Sequence, residues 1–247
     1  MSTTHQIGRT QPRLRALAFA GAIVAAALGT LATSPGSAAD FGPRVVAPLL
    51  PPPYNWTGFS FGFNAGGGWG ESEYLAADGL HGTLPFFTKG GMVGATVGAD
   101  YQFYQTVFGV LGDADWSFVE GGAQCDGTNF TCAVRNDWLN TLRGRAGYAF
   151  DNILFYVSGG GAWGNIKADR PTLGGQHMDR VGWTAGGGVE VSLIPNVSFK
   201  LEYLHIDLGR GICAMPNCSQ TADVSIPMQL DTVRLGVNYR LNAWPHF

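Results

Sequence analysis

From Trp56 onward, bulky apolar side chains take every second position through successive stretches of the chain, with Gly, polar or charged residues between them. In an extended strand that period of two sends the two sets to opposite faces. Phe59, Phe61, Phe63 and Ala65 alternate with Ser60, Gly62 and Asn64, and Val93, Val97, Tyr101 and Phe103 with Gly94, Gly98, Asp100 and Gln102. The pattern returns around Phe108–Phe118, Trp138–Phe150, Phe155–Trp163, Trp183–Leu193, Val197–Tyr203 and Val233–Leu241, which makes eight segments. Short links fall near Tyr104–Thr106, Asp151–Asn152 and Ile194–Asn196, and long ones over about 72–88, 120–136, 168–179 and 209–228. An even number of alternating segments joined by turns that are short on one side and long on the other predicts an all-β fold, an eight-stranded antiparallel up-and-down transmembrane β-barrel. A hairpin sets which residues face each other, so partners must share a face. A turn at Asp151–Asn152 pairs Tyr148 with Phe155, and one at Pro195 pairs Val191 with Phe199 and Glu190 with Lys200, each pair on one face.

The second face decides between water and lipid outside. It carries Asp100, Asp113, Asp115, Glu190 and Glu202 together with Arg143, Arg145, Lys200, Arg234 and Arg240. Five acids and five bases in an eight-stranded lumen that side chains nearly fill predict a paired polar interior, because an unpaired ion there costs several kcal/mol. Asp113 and Asp115 stand opposite Arg143 and Arg145 as adjacent-strand ion pairs, in a register that the long link between them leaves unfixed. The apolar face then meets hydrocarbon. Trp69, Trp116, Trp138, Trp163 and Trp183 fall toward the long-link ends, and Tyr148, Phe155 and Tyr239 toward the short-turn ends. Two aromatic girdles around an aliphatic band suit the two membrane interfaces. A soluble sandwich would explain the alternation but neither the girdles nor the inward charges.

Composition narrows the class further. Of 247 residues 37 are Gly, 45% are hydrophobic and 13% are charged, against roughly 25% charged in an ordinary soluble domain. That balance argues against a disordered tail, a coiled coil or a nucleic-acid partner. After residue 39 no apolar run reaches the ~20 residues a membrane helix needs. Arg9, Arg13 and Arg15 precede a small, apolar stretch ending at Ser37-Ala38-Ala39, so residues 1–39 read as a cleaved signal peptide. Its removal takes away three bases and no acid, leaving 12 bases against 18 acids on 208 residues, a net charge of −6. Residues 40–55 form a Pro-rich periplasmic lead-in, and 56–247 the barrel. Short turns on the periplasmic side put both termini in the periplasm.

Candidate chemistry is sparse. Cys125 and Cys132 sit in the second long link and Cys213 and Cys218 in the fourth. Export through an oxidising compartment makes each pair an expected disulfide, and a four-thiolate metal site would need converging loops and reduced thiols. Among the five His, His205 alone falls within a strand, with Tyr203 and Asp207 on its face; its depth suits an interfacial residue, and no Ser/His/acid set assembles around it. Gly66–Gly68, Gly159–Gly161 and Gly186–Gly188 lie within strands and precede no helix, so they relieve crowding and do not cradle phosphate. No catalytic residue, metal or cofactor is expected.

Several segments carry a family likeness: Tyr54-Asn55-Trp56-Thr57-Gly58-Phe59, Thr141 to Phe150 (TLRGRAGYAF), Gly182 to Glu190 (GWTAGGGVE), Lys200-Leu201-Glu202-Tyr203-Leu204 with Asp207-Leu208-Gly209, and Val233 to Arg240 (VRLGVNYR). Over essentially the whole mature chain this resembles the small, porin-like outer-membrane barrels of alphaproteobacteria. The resemblance implies a structural, surface-facing protein supporting envelope integrity, with a narrow pore for small polar solutes as the alternative. The partners implied are outer-membrane lipid and lipopolysaccharide, the barrel-insertion machinery, and host or environmental ligands at the loops. Members usually end their final strand on Tyr-Arg-Phe. Here Leu241 replaces that Phe and Asn242 to His246 precede Phe247, which implies a weaker or displaced insertion signal.

Overall fold

A computed structural model describes residues 54–73, 75–76, 85–124, 131–170, 174–214 and 223–241. The expected signal peptide, most of the lead-in, Cys125 and Cys218 lie outside them. Eight long strands form the wall: β1 (Gly58–Ser72), β3 (Phe86–Phe103), β4 (Thr106–Gln124), β5 (Thr131–Phe150), β6 (Ile153–Arg170), β7 (Gly174–Ile194), β8 (Val197–Cys213) and β9 (Val224–Leu241). A two-residue strand, β2 (Leu75–Ala76), continues the pairing of β1 along β9. Each long strand pairs antiparallel with the next, and β1 pairs with β9, so the sheet closes as an up-and-down barrel with no free edge.

The register follows the alternation. Tyr148 faces Phe155, Val191 faces Phe199 and Glu190 faces Lys200. The short turns fall at Tyr104–Gln105, Asp151–Asn152 and Pro195–Asn196. In each, one residue takes a left-handed backbone, with φ of 53° at Tyr104, 51° at Asp151 and 67° at Asn196. Asn and Asp tolerate that region because their short side chains hydrogen-bond locally, whereas Tyr104 adopts it without that help. Inward glycines of the Gly runs meet a different need. A Cβ at Gly66, Gly160 or Gly186 would strike the carbonyl oxygen of Val233, Leu142 or Tyr203 on the adjacent strand. Their absence of side chain lets the strands coil tightly around a narrow lumen.

The expected long links are the point of difference. Most of 120–136 and 168–179 and half of 209–228 is strand: β4 runs to Gln124 and β5 starts at Thr131, β6 runs to Arg170 and β7 starts at Gly174, and β8 runs to Cys213 with β9 starting at Val224. The wall therefore extends well past Trp116, Trp138, Trp163 and Trp183, which lie inside their strands and not at the ends. The period of two persists there with its polarity reversed. Inward positions are Val134, Ile166, Ala168, Met178, Ile226 and Met228, all buried, while outward positions include Glu120, Arg135 and His177. A search for apolar outward sets passes over such a segment. Two irregularities mark the transition, shifting the β4–β5 register between Trp116 and Val119 and the β5–β6 register between Arg135 and Leu139. At the second, Asn165 accepts from the backbone N–H of Asp137 and Trp138, and Asn136 donates to the carbonyls of Trp138 and Asn165, so the bulged backbone stays hydrogen-bonded. On β8 a third shift, between Asp207 and Arg210, contains Gly209 at φ 69°, where a Cβ would meet no atom and the backbone angle alone favours Gly.

Candidate functional site

The lumen is built in four levels. At the short-turn end lies an apolar cap of Trp56, Val107, Ala149, Leu154 and Tyr156, with Tyr54 packed edge-on to the Trp56 ring. Trp56 precedes β1 yet is fully buried. Its backbone N–H donates to Gln102 Oε1 at 2.8 Å, its carbonyl accepts from Arg240 Nη1 at 2.6 Å, and the Arg240 guanidinium lies 5.3 Å from its ring centroid. No alternation pointed to this role, because Trp56 belongs to no strand.

Above the cap is a first ionic layer of two carboxylates and two guanidinium groups. Arg145 donates to Asp100 through Nε (2.6 Å) and Nη2 (2.5 Å) and to Glu190 through Nη1 (2.8 Å). Arg240 Nη1 also reaches Asp100, at 2.7 Å, while Ser198 and Asn238 donate to Glu190. A second layer holds Asp113, Asp115 and Glu202 against Arg143, Lys200 and Arg234. Arg143 grips Glu202 with both terminal nitrogens (2.8 and 3.1 Å) and Asp113 with one (2.5 Å). Thr96 and Thr141 donate to Asp113, and Tyr156 donates to Glu202. Arg234 lies 2.7 Å from Asp115, and Lys200 3.8 Å from Glu202. Each layer is neutral by itself, and all ten ionic side chains are buried.

This pairing differs in detail from the expectation that Asp113 and Asp115 face Arg143 and Arg145. Asp113 does meet Arg143, but Asp115 meets Arg234 and Arg145 turns to Asp100 and Glu190. The reason is register: Asp113 pairs with Thr141 and Asp115 with Leu139, and guanidinium stems long enough to cross the lumen choose partners beyond the neighbouring strand. The fourth level, at the long-hairpin end, is an apolar core that includes Leu139, Ile166, Ile206, Leu208, Met228 and Leu230. Cys132 and Cys213 are part of it, and both are disulfide-bonded. Their expected partners, Cys125 and Cys218, lie outside the described residues.

The outer wall presents the expected girdle side chains to the surroundings. Trp69, Trp116, Trp163, Trp183, Tyr148, Phe155 and Tyr239 are exposed and Trp138, directly opposite Trp116, is half-buried. The His205 ring lies tilted against Trp183, with ring centroids 5.4 Å apart, and its Nδ1 lies 2.8 Å from Asp231 Oδ1, which also accepts from the Tyr203 hydroxyl at 2.7 Å. Asp207 is engaged elsewhere, by the Gly209 N–H and Gln229. Sequence proximity suggested Asp207 for His205, whereas cross-strand pairing on β9 supplies Asp231. Beyond the girdle, the hydrogen bond from Lys167, with Arg135 alongside, holds the Asp137 carboxyl below its ordinary range. Among the described residues no group of His, Cys, Asp and Glu could hold a metal ion.

Comparison with known proteins gives the same architecture. Residues 23–240 match the family profile of the outer membrane protein beta-barrel domain. The chain is 30% identical over 201 residues to the 25 kDa outer-membrane immunogenic protein of Brucella canis, covering 80% of this chain and 85% of that protein. It is 30% identical over 207 residues to the 31 kDa outer-membrane immunogenic protein of Brucella melitensis biotype 1, covering 76% and 84%. Among solved structures it is similar to the outer membrane protein OprG of Pseudomonas aeruginosa, with 12% identity, a TM-score of 0.49, and coverage of 76% of this chain and 97% of that one.

Proposed function

This chain belongs to the outer membrane protein beta-barrel domain family, among the small outer-membrane barrels of alphaproteobacteria, and on that premise we propose that it is a structural barrel. In this reading it supports envelope integrity with a closed lumen and displays its long hairpins at the cell surface. Residues 1–39 are an export leader, 40–55 a periplasmic lead-in, and both termini face the periplasm. Its partners are outer-membrane lipid and lipopolysaccharide along the wall, the insertion machinery during assembly, and host or environmental ligands at the hairpin tips. Relatives named for their immunogenicity fit a protein with exposed tips.

One observation carries the closed-lumen reading: two neutral ionic layers lie between two apolar caps, so ion passage would have to separate buried pairs and wet an apolar core. A narrow pore for small polar solutes is the second reading, favoured by the incomplete hydrogen bonding of Lys200 and Arg234. The deciding experiment is single-channel recording of the mature chain, refolded in detergent and shown to be heat-modifiable, in a planar bilayer. Silence from folded protein is the expected result, and reproducible conductance steps would replace the structural role with the pore.

A further inference from the structure

At the short-turn end each two-residue turn does more than join its own pair of strands. The carbonyl of Gln105, in the β3–β4 turn, accepts from the Ala149 N–H on β5 at 2.7 Å; that of Asn152 accepts from Ser192 on β7 at 2.9 Å, and that of Asn196 from Arg240 on β9 at 2.7 Å. The Asn152 and Asn196 side chains donate to the carbonyls of Ser192 and Arg240, each at 2.9 Å. Each turn thus fastens its hairpin to the next strand of the ring. Alternate strand pairs are joined here by a turn, and the fourth such pair, β9 and β1, is not, because the two are far apart in the chain.

Residues 55–57 and Arg240 fill that place. The backbone N–H of Trp56 donates to Gln102 Oε1 at 2.8 Å and Thr57 Oγ1 accepts from the Gln102 N–H at 3.0 Å, so this segment grips β3 as the three turns grip β5, β7 and β9. Gly58 faces Asp100, and the same register continued sets Trp56 opposite Gln102. Asn55 Oδ1 accepts from the Thr57 N–H at 2.9 Å, the local bond of a turn asparagine. From β9, Arg240 Nη1 donates both to the Trp56 carbonyl at 2.6 Å and to Asp100 at 2.7 Å, with its guanidinium over the Trp56 ring. Gly58 makes the bend: its φ of 140° is open to Gly and rarely to other residues, and it carries the chain from the wall into the mouth of the lumen. We infer that Trp56, seated on Arg240 and Gln102, is a noncovalent fourth turn, a latch that engages once β1, β3 and β9 have met and holds the β1–β9 seam shut. The seam calls for one because backbone groups parted in hydrocarbon find no water to bond. A plug would require only the ring in the cap, whereas these contacts tie together the two strands that flank β1.

The test is amide hydrogen exchange on the full chain, refolded in detergent and heat-modifiable. It compares the seam segments 58–62 and 237–241 with 148–150 and 153–156, which supply Ala149, Leu154 and Tyr156 to the same cap but are joined by their own turn. Trp56→Ala is expected to speed exchange about tenfold at the seam and less than about twofold beside the Asp151–Asn152 turn. If that variant does not fold, Gln102→Leu removes the acceptor of the Trp56 backbone N–H and leaves the ring in place; about threefold faster exchange is then expected at 58–62, with none at 148–156. An unchanged seam, or equal acceleration in both regions, overturns the inference and leaves Trp56 as a plug alone.

Discussion

Two halves of one continuous wall obey opposite rules. Between the girdles, the outward positions are Phe61, Val97, Leu142, Val157 and Leu235, while the inward ones are Asp113, Arg143, Glu202 and Arg234. Past the tryptophans the same strands carry Glu120, Arg135 and His177 outward and Val134, Ile166, Met178 and Ile226 inward. The first is the pattern of a barrel in hydrocarbon, the second that of a barrel in water. Backbone pairing does not register the change, since strand geometry and hydrogen bonding are the same in both. A change of solvent outside accounts for this pattern, because it changes which face lowers its free energy by leaving water. The bulges near Trp116 and Trp138 fall at the boundary, and so do the two asparagines that satisfy the bulged backbone.

The comparison can be broken most severely from inside. Arg145→Ala leaves Asp100 and Glu190 buried without their main partner, and a loss of about 3–5 kcal/mol is expected, read from urea unfolding of heat-modifiable protein in detergent. A loss below about 1 kcal/mol would mean that the first ionic layer does not bear on stability.

Placing one charge on each half tests the inversion directly. Leu235→Arg, at mid-band on the outward face of β9, is expected to cost about 2–4 kcal/mol, whereas Ile212→Arg, outward on the far end of β8, should stay within about 0.5 kcal/mol. Equal costs would place both sites in one environment. Reduction comes next in size. Breaking the disulfides of Cys132 and Cys213 should raise proteolysis at the long hairpins and speed amide exchange in the apolar core there, with the girdled half still heat-modifiable. The smallest effect concerns Asp137. Lys167→Met should move its NMR titration midpoint up toward the ordinary 3.8. Because the folded-state value is depressed, the pair stabilises above the unfolded-state value and its contribution fades as pH falls through the folded one; on so exposed a group that change is small.

Much of the barrel was legible because period two and turn chemistry are local. Eight strands, three short turns and the face of each inward charge could be read from neighbours in sequence. The extension was not read, because its apolar residues occupy inward positions and its charged residues resemble those of loops. In the sequence Trp56 reads as the first residue of the barrel and not as its stopper, since burial of a residue outside any strand depends on where the closed wall leaves a hole. Asp231 as the partner of His205 and Arg234 as the partner of Asp115 required a register that long links leave open.

The amino-acid sequence by itself determined the class of fold, the polarity of each strand face between the girdles, and the equality of acids and bases within the lumen. These follow from alternation and charge, which a chain carries whatever its partners. The closed sheet decided the rest: which guanidinium meets which carboxylate, and where the wall turns from a lipid-facing to a water-facing pattern. Those outcomes depend on distances across the lumen, and such distances exist only once β1 has met β9 and the strands have settled into one register.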